Sequence, residues 1–233
     1  MGDSIIFDSG PLISLSTNNL LWVLGHLKEK FEGEFFITNA VKRECVNRPL
    51  ETKKFKFEAL QLLRQIEKEN LKIYNGDFHD EILKYLDIVN NVFFGHDNPI
   101  KIVHYAEMEV LIAALKAGSN KVVIDERTTR LLIENPMKIK DRLEKKLHTK
   151  IDVDKNNLDI LKKKFGNMKV LRSTELVIIA YEIGLLNEYV IKEVKNSREE
   201  LLEGVLWGLK LKGCSIREDE ISEMVKIEKK IKT

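Results

Sequence analysis

Acidic side chains stand at two places where a short apolar run of the sequence ends. Asp8 follows the run Ser4–Phe7, and Asp125 follows the run Lys121–Ile124. Such runs are typical of strands buried in a parallel sheet, and ligands collect at the carboxyl ends of those strands. A buried carboxylate there is costly unless something pairs with it. Two interpretations stay open: the aspartates share a site, or each one caps a helix or a turn.

Two glutamates near the start of a predicted helix compete to join the aspartates. Glu107 and Glu109 are about 200° apart around that helix, so they cannot share a face. Lys116 is taken to mark the solvent side, and it points in nearly the same direction as Glu109. The spacing therefore predicts that Glu107 faces inward as a site residue and that Glu109 faces solvent. Glu44, flanked by Lys42 and Arg43, is by itself typical of a surface residue.

Strand and helix patterns alternate along the chain, and these elements must position the acids. Further strands are predicted at 34–38, 71–74 and 169–171, and residues 94–104 are predicted to form a loop. Alternation of this kind favours an α/β fold with a parallel sheet.

The predicted helices carry specific start, stop and face signals. Thr38 is expected to cap a helix that contains Glu44 and that Pro49 stops. Residues 52–69 are expected to form an amphipathic helix. Its inward residues are predicted to be Phe55, Leu60, Leu63 and Ile66.

Composition limits the classes of protein that the chain can represent. The 233 residues are 43% hydrophobic and 33% charged, which excludes a disordered chain and a membrane-embedded one. Two distant cysteines, Cys45 and Cys214, have no zinc-type spacing and favour free thiols in a reducing cytosol. The N-terminal residues lack the pattern of a secretory signal, so a cytoplasmic location is expected.

The net charge of +2 does not indicate a nucleic-acid binder, so a basic surface must come from local clustering. Residues 138–164 are the candidate, with ten basic against five acidic side chains. The segment fits either a surface that follows an RNA backbone or an ordinary solvated helical face.

Four segments resemble the PIN-domain nucleases, a family that includes the VapC-type toxins. They are residues 5–13, 36–44, 106–110 and 122–130. In one PIN subgroup the third segment starts Gly-Glu-Ala-Glu-Ala and the fourth ends in two aspartates followed by basic residues. Here Ala106 replaces the glycine and Glu126 replaces the second aspartate.

The resemblance implies a three-layer α/β/α sandwich around a central parallel sheet. A PIN-like domain would span residues 1–190 and contain a basic insertion at about 136–166. Residues 191–233 would form a helical C-terminal extension.

The resemblance also implies a metal-dependent endoribonuclease. Its catalytic acids would be Asp8, Glu44, Glu107 and Asp125. Of these, Asp8, Glu107 and Asp125 would hold Mg²⁺ or Mn²⁺, because oxygen-only donors suit such hard ions. Ser9, Arg127 and Arg130 would contact the RNA substrate.

Partners follow from the same resemblance. RNA is the expected partner, and no membrane is expected. By analogy with the family, a protein antitoxin and a second copy of the chain are candidate partners. The alternative function is a catalytically weak RNA-binding or assembly module that keeps the PIN fold.

Overall fold

The computed structural model describes residues 3–231, and all structural statements below refer to them. The strands are β1 (Ser4–Phe7), β2 (Glu34–Ile37), β3 (Lys72–Ile73), β4 (Phe93–Gly95), β5 (Asn98–Pro99), β6 (Lys121–Val123), β7 (Ile151–Val153) and β8 (Lys169–Leu171). The helices are α1 (Ser9–Thr17), α2 (Val23–Phe31), α3 (Asn39–Lys42), α4 (Arg48–Glu51), α5 (Lys56–Glu67), α6 (His79–Asn90), α7 (Tyr105–Lys116), α8 (Arg127–Glu134), α9 (Met137–Leu147), α10 (Lys155–Phe165), α11 (Ser173–Glu182), α12 (Ser197–Leu211) and α13 (Glu218–Ile231).

A five-stranded parallel sheet in the order β3-β2-β1-β6-β8 forms the centre of the fold. Helices flank this sheet, which gives the three-layer α/β/α architecture that the resemblance implied. All four residues of β1 are buried, as expected for a strand covered on both faces. Because β1 pairs in parallel with β6, the chain leaves both strands at the same edge of the sheet.

A second, three-stranded antiparallel sheet in the order β5-β4-β7 replaces the loop predicted at 94–104. Its hairpin turns at His96 and Asp97, which both have positive φ angles. Turns of this kind usually show Asn-Gly or Asp-Gly, so the sequence lacked the usual hairpin signal. Strand β7 comes from the predicted basic insertion, and its pairing with β4 ties that segment to the domain.

The helix after β2 does not stop at Pro49, contrary to the prediction. Thr38 caps it as expected, with its hydroxyl accepting a hydrogen bond from Val41 N at 3.3 Å. Helix α3 passes through a π-helical segment, Arg43–Asn47, into α4, which ends at Glu51. Pro49 falls in the first turn of α4, where a proline without an N–H is tolerated.

Helix α5 also differs from its prediction in the face that it buries. Its buried residues are Ala59, Leu62 and Gln65, whereas Phe55 is 40% exposed and Leu60 is 52% exposed. The polar Gln65 is buried because its side chain accepts a hydrogen bond from Asn70 at 2.8 Å. Leu63 and Ile66 are half-buried and pack against the core, so two of the four residues predicted to face inward do so.

The C-terminal helices pack onto the rest of the molecule. Helix α12 lies against α11 and buries Leu202, Leu206 and Leu209 in the common hydrophobic core, and α13 lies against α12. After α12, Ser215 N donates a hydrogen bond to the main-chain oxygen of Asp125 at 3.2 Å. This contact brings the C-terminal segment to the end of β6. The boundary at residue 190 stays a prediction.

Two further sequence expectations concern the thiols and the membrane. Cys45 and Cys214 are both free and buried. No helix in residues 3–231 has the length and apolar character needed to cross a bilayer.

Candidate active site

An open, acid-lined pocket of about 470 Å³ lies at the carboxyl ends of β1 and β6. Four carboxylate residues line it: Asp8, Glu44, Glu107 and Glu126. Ser9, the predicted substrate contact, lines it as well. We call this the acidic pocket. The sheet topology thus brings together acids that are far apart in the sequence.

Asp8 lies directly after β1 and is only 4% exposed. Its Oδ1 atom is buried and has no hydrogen-bond partner. Burial raises the pKa of Asp8 to about 7, the backbone amides of Ser9 and Gly10 oppose this rise, and the negative charge of Glu44 adds to it. The pocket therefore holds a carboxylate whose charge the surrounding protein does not compensate.

Gly10 allows the two aspartates to approach each other. A Cβ atom at this position would lie 3.3 Å from the Cβ of Asp125 and 3.7 Å from Oδ2 of Asp8. The negative charge of Asp125 also acts to raise the pKa of Asp8. The first turn of α1 therefore packs tightly between the ends of β1 and β6.

Glu107 occupies the first turn of α7 and is half-buried. Its Oε2 accepts a hydrogen bond from His104 N at 2.6 Å. Burial raises the pKa of Glu107 to about 7, and the charges of Asp8, Glu126 and Glu44 add to the rise. Glu107 therefore lines the pocket with the other acids, although it is less buried than Glu109.

Glu44 is carried by the π-helical segment between α3 and α4. Short π-helical segments are frequent at functional sites because they re-aim a side chain. Glu44 lines the acidic pocket and also the cavity on its other side, which is lined by Arg43 and Arg48. It is therefore a pocket residue, although the sequence around it is typical of a surface.

Asp125 is 1% exposed, and both of its carboxylate oxygens are engaged. Oδ1 accepts a hydrogen bond from Ser173 N at 2.8 Å, and Oδ2 accepts one from Ser173 Oγ at 2.7 Å. Asp125 thus caps the start of α11 and is not among the residues that line the acidic pocket. Its immediate neighbour Glu126 lines the pocket instead.

Glu126 caps α8, its Oε2 accepting a hydrogen bond from Thr129 N at 2.6 Å. The resemblance had pointed to its position as the family's second acid, so a sequence signal for it existed. Lys212 and Gly213 complete the pocket from the C-terminal segment. No sequence signal pointed to those two residues.

Glu109 does not face solvent, contrary to the prediction. It is 8% exposed, and its Oε2 accepts a hydrogen bond from Ala40 N at 2.8 Å, at the start of α3. Residues 108–114 of α7 are all buried, because α7 is covered by both the sheet and α3. Lys116, at the end of the helix, therefore does not mark an exposed face along its length.

Arg127 and Arg130 do not line the acidic pocket. They line a separate open cavity of about 590 Å³, which we call the basic cavity. Burial lowers the pKa of Arg127, and the charges of Arg142 and Arg130 contribute to the effect. These arginines therefore belong to a neighbouring site with the opposite charge.

The donors of the acidic pocket fit a hard divalent cation. Within residues 3–231, no group of three or more His, Cys, Asp or Glu side chains is arranged so that it could hold a metal ion. The pocket does present four carboxylate residues, beside the Ser9 hydroxyl, the His104 ring and the Lys212 amine, and Asp8 Oδ1 has no hydrogen-bond partner. Oxygen donors of this kind suit Mg²⁺ and Mn²⁺.

Comparison with known families decides what the fold is. A family model described as a PIN domain (DUF3368) matches residues 4–136, which is more than half of the chain. The chain belongs to the PIN-domain family. Searches of curated proteins and of solved structures found no significant match.

The PIN match contains every acid of the pocket together with Ser9, Arg127 and Arg130. It ends just before α9, so the segment with the basic insertion and the C-terminal helices lies outside it. The PIN fold is a nuclease fold, and PIN domains generally use divalent metal ions. Membership therefore places a nuclease-type scaffold around the acidic pocket.

Proposed function

We propose that this PIN-domain protein is a divalent-metal-dependent endoribonuclease that cuts RNA in its acidic pocket. The observation that carries the proposal is the buried, unpaired Oδ1 of Asp8 among three further carboxylate residues. Without a cation, such a group destabilises the folded chain, because its charge is neither solvated nor paired. A bound cation would remove this destabilisation, and it is the ligand that best explains the site.

Asp8 and Glu107 are the proposed metal ligands, and Glu44 and Glu126 line the same pocket. A bound Mg²⁺ or Mn²⁺ would polarise the scissile phosphate and lower the pKa of an attacking water. Asp125, predicted from the sequence as a ligand, is here proposed to act mainly through packing, since Ser173 occupies both of its oxygens. Ser9 is proposed to contact the substrate at the pocket wall.

The pocket's own residues would hold the ion and orient the substrate. In the metal-free chain, burial raises the pKa of Asp8 and of Glu107 to about 7, so a bound ion would compete with a proton for these carboxylates near neutral pH. Lys212 lines the same pocket and is a cation that could approach a phosphate oxygen. The pocket thus contains carboxylates for an ion and a cation for a phosphate group.

A second candidate function is an RNA-binding or assembly module without cleavage. Two observations favour it: Asp125 is fully hydrogen-bonded, and the carboxylates of residues 3–231 are not already gathered around a metal position. A toxin role with a protein antitoxin, and pairing with a second copy, stay predictions from the family resemblance.

The decisive experiment incubates labelled single-stranded RNA with the full chain, with and without Mn²⁺ or Mg²⁺. We expect cleavage with the metal and none with EDTA. Asp8→Asn is expected to remove cleavage, whereas the exposed Asp159→Asn, a matched change on α10, is expected to retain it. Single-stranded DNA in a parallel reaction tests whether the sugar matters.

The outcomes separate the two candidate functions. Intact RNA that remains bound to the wild-type chain at all metal concentrations would favour the binding module. Cleavage that survives Asp8→Asn would show that the acidic pocket is not the catalytic site.

A further inference from the structure

The basic cavity is formed by three regions of the chain: the adjacent helices α8 and α9, the end of β8 with the start of α11, and the segment that leads into α13. Helix α8 contributes Arg127 and Arg130, helix α9 contributes Arg142, and the segment before α13 contributes Arg217. In all, seven basic and four acidic residues line it. Its charge is therefore positive, and most of its lining lies outside the acidic pocket.

Part of this positive charge is neutralised within the protein. Arg172 pairs with Glu175 at 2.5 Å and with Glu220 at 3.4 Å. Arg217 pairs with Asp219 at 3.0 Å. These arginines have carboxylate partners and do not by themselves require a ligand.

Four other cations of the cavity have no such partner. Within residues 3–231, no ion pair or side-chain hydrogen bond engages Arg127, Lys138, Arg142 or Lys145. Arg130 Nε is buried without a hydrogen bond, and its contact with Glu134 is 3.8 Å long. Because Glu175 and Glu220 pair with Arg172, only Glu134 and Asp141 are left in the lining to offset these cations, and a bound anion would reduce the remaining repulsion.

The chemistry of the unpaired groups selects the anion. A guanidinium presents several N–H donors in a fixed plane, which matches the oxygens of a phosphate group. Arg127 and Arg142 come from two different helices and line one cavity, so they can approach a phosphate from two sides. A phosphate ester is therefore the ligand that this cavity fits best.

The position of the cavity links it to the acidic pocket. Glu126 lines the acidic pocket, and the next residue, Arg127, lines the basic cavity. On the other side, Lys212 and Gly213 line the acidic pocket, and Arg217 of the same segment lines the basic cavity. Two stretches of the chain, 126–127 and 212–217, therefore contribute residues to both sites, so the two sites are neighbours.

We propose that the basic cavity binds a backbone phosphate of the RNA strand at a position away from the cut. This inference rests on the proposed function, because it takes the strand to be RNA that is cut in the acidic pocket. It assigns Arg142, outside the PIN match, to substrate binding together with Arg127. The basic insertion then serves the substrate through one helix, α9, and not through its whole length.

The test measures RNA binding in an Asp8→Asn background, so that cleavage does not interfere. Arg142→Gln is expected to raise the Kd of a labelled single-stranded RNA roughly tenfold, as loss of a charge-assisted phosphate contact does. The slope of log affinity against log salt should shrink by about 0.7 for each phosphate contact that is lost. Arg64→Gln, a matched change at an exposed arginine on α5, should leave both quantities unchanged.

A steady-state measurement in the cutting protein provides an independent readout. Arg142→Gln should raise KM for RNA while kcat is maintained, because a phosphate held away from the cut contributes equally before and in the transition state. Arg142 is exposed, so its replacement is not expected to disturb folding. Circular dichroism on each variant checks this.

Each outcome bears directly on the proposal. Equal Kd values for Arg142→Gln and Arg64→Gln overturn it. Calorimetric binding of inorganic phosphate that Arg142→Gln weakens, with unchanged RNA affinity, also overturns it, because the cavity then takes small anions. If the wild-type chain cuts no RNA but Arg142→Gln still weakens RNA binding, the nuclease proposal fails and the phosphate site stands.

Discussion

The ends of β1 and β6 carry the same residue type in different surroundings. Phe7 and Val123 are paired neighbours in the sheet, and the chain reaches an aspartate just beyond each strand. Asp8 is left with a buried oxygen, Oδ1, that has no hydrogen-bond partner. Asp125 has both oxygens engaged by one serine at the start of α11.

This difference shows how one sheet edge separates structural and chemical roles. Asp125 holds α11 through its side chain and the C-terminal segment through its main-chain oxygen. Its charge is thus compensated by hydrogen bonds. Asp8 has no comparable anchor for Oδ1, so its charge is free to attract a cation.

The largest effect that follows from the comparison concerns catalysis. Replacing Asp8 by Asn should lower metal-dependent RNA cleavage by on the order of 100-fold or more, because the proposed ligand loses its charge. Ser173→Ala, which removes one hydrogen bond from Asp125, should change cleavage far less. A single-turnover assay at saturating Mn²⁺ measures both.

The comparison would break if Ser173→Ala and Asp125→Asn abolished cleavage as completely as Asp8→Asn in folded protein. Asp125 would then act as a ligand despite its hydrogen bonds.

The next effect is the dependence of stability on pH. The folded-state pKa of Asp8 is raised from 3.8 to about 7. The folded, metal-free chain therefore binds more protons than the unfolded chain between these values, and its free energy of unfolding falls as the pH rises through that window. Asp8→Asn removes this loss, so its advantage over wild type should grow by roughly 4 kcal/mol from about pH 4 to about pH 8.

Urea denaturation of both proteins across this pH range, in EDTA, measures the difference. Adding Mg²⁺ above pH 7 should stabilise the wild type and leave Asp8→Asn almost unaffected. A constant difference between the two proteins at every pH would contradict the prediction.

Replacing each aspartate by alanine is expected to lower the free energy of unfolding by different amounts at the two strand ends. Asp125→Ala leaves the N–H and hydroxyl of Ser173 buried without their acceptor. Asp8→Ala removes a buried carboxylate that has one unpartnered oxygen and whose burial the amides of Ser9 and Gly10 offset only in part. Metal-free Asp125→Ala should therefore be less stable than Asp8→Ala by about 2 kcal/mol. Chemical denaturation near neutral pH provides the values, and a reversed order would disprove the assignment.

The smallest effect on stability and cleavage is expected at Glu109. This buried acid lies at neither strand end and serves as a control for the two aspartates. Glu109→Gln keeps an acceptor for Ala40 N but removes the charge at the start of α3, so stability should fall by about 1 kcal/mol. Cleavage per folded molecule should be retained. Loss of metal-dependent cleavage in this variant would extend the acidic pocket to Glu109.

The sequence predicted the elements whose signals are local. The apolar runs identified β1 and β6, and Thr38 was confirmed as a cap. The motifs also pointed to Asp8 and Glu107, and the structure places both in one pocket. Their roles as metal ligands stay predictions.

Local sequence patterns could not predict the burial or contacts of residues whose neighbours come from distant segments of the chain. Glu109 is buried because α3 packs over α7, and Lys116 could not reveal that contact. The hairpin of β4 and β5 pairs with β7, which comes from a segment more than 50 residues later in the chain. Arg127 turned out to line a second cavity that α9 and the C-terminal segment complete.

The amino-acid sequence alone thus indicated the parallel sheet and the acids at the ends of β1 and β6, because hydrophobic periodicity and strand-end residues are properties of neighbouring positions. The PIN assignment came from the resemblance of four segments to that family. Only the tertiary structure decided which carboxylate keeps an unpaired charge and which arginines gather into a separate cavity. The physical reason is that desolvation, hydrogen bonding and charge repulsion depend on which surfaces meet in space. Those surfaces belong to segments that are far apart along the chain.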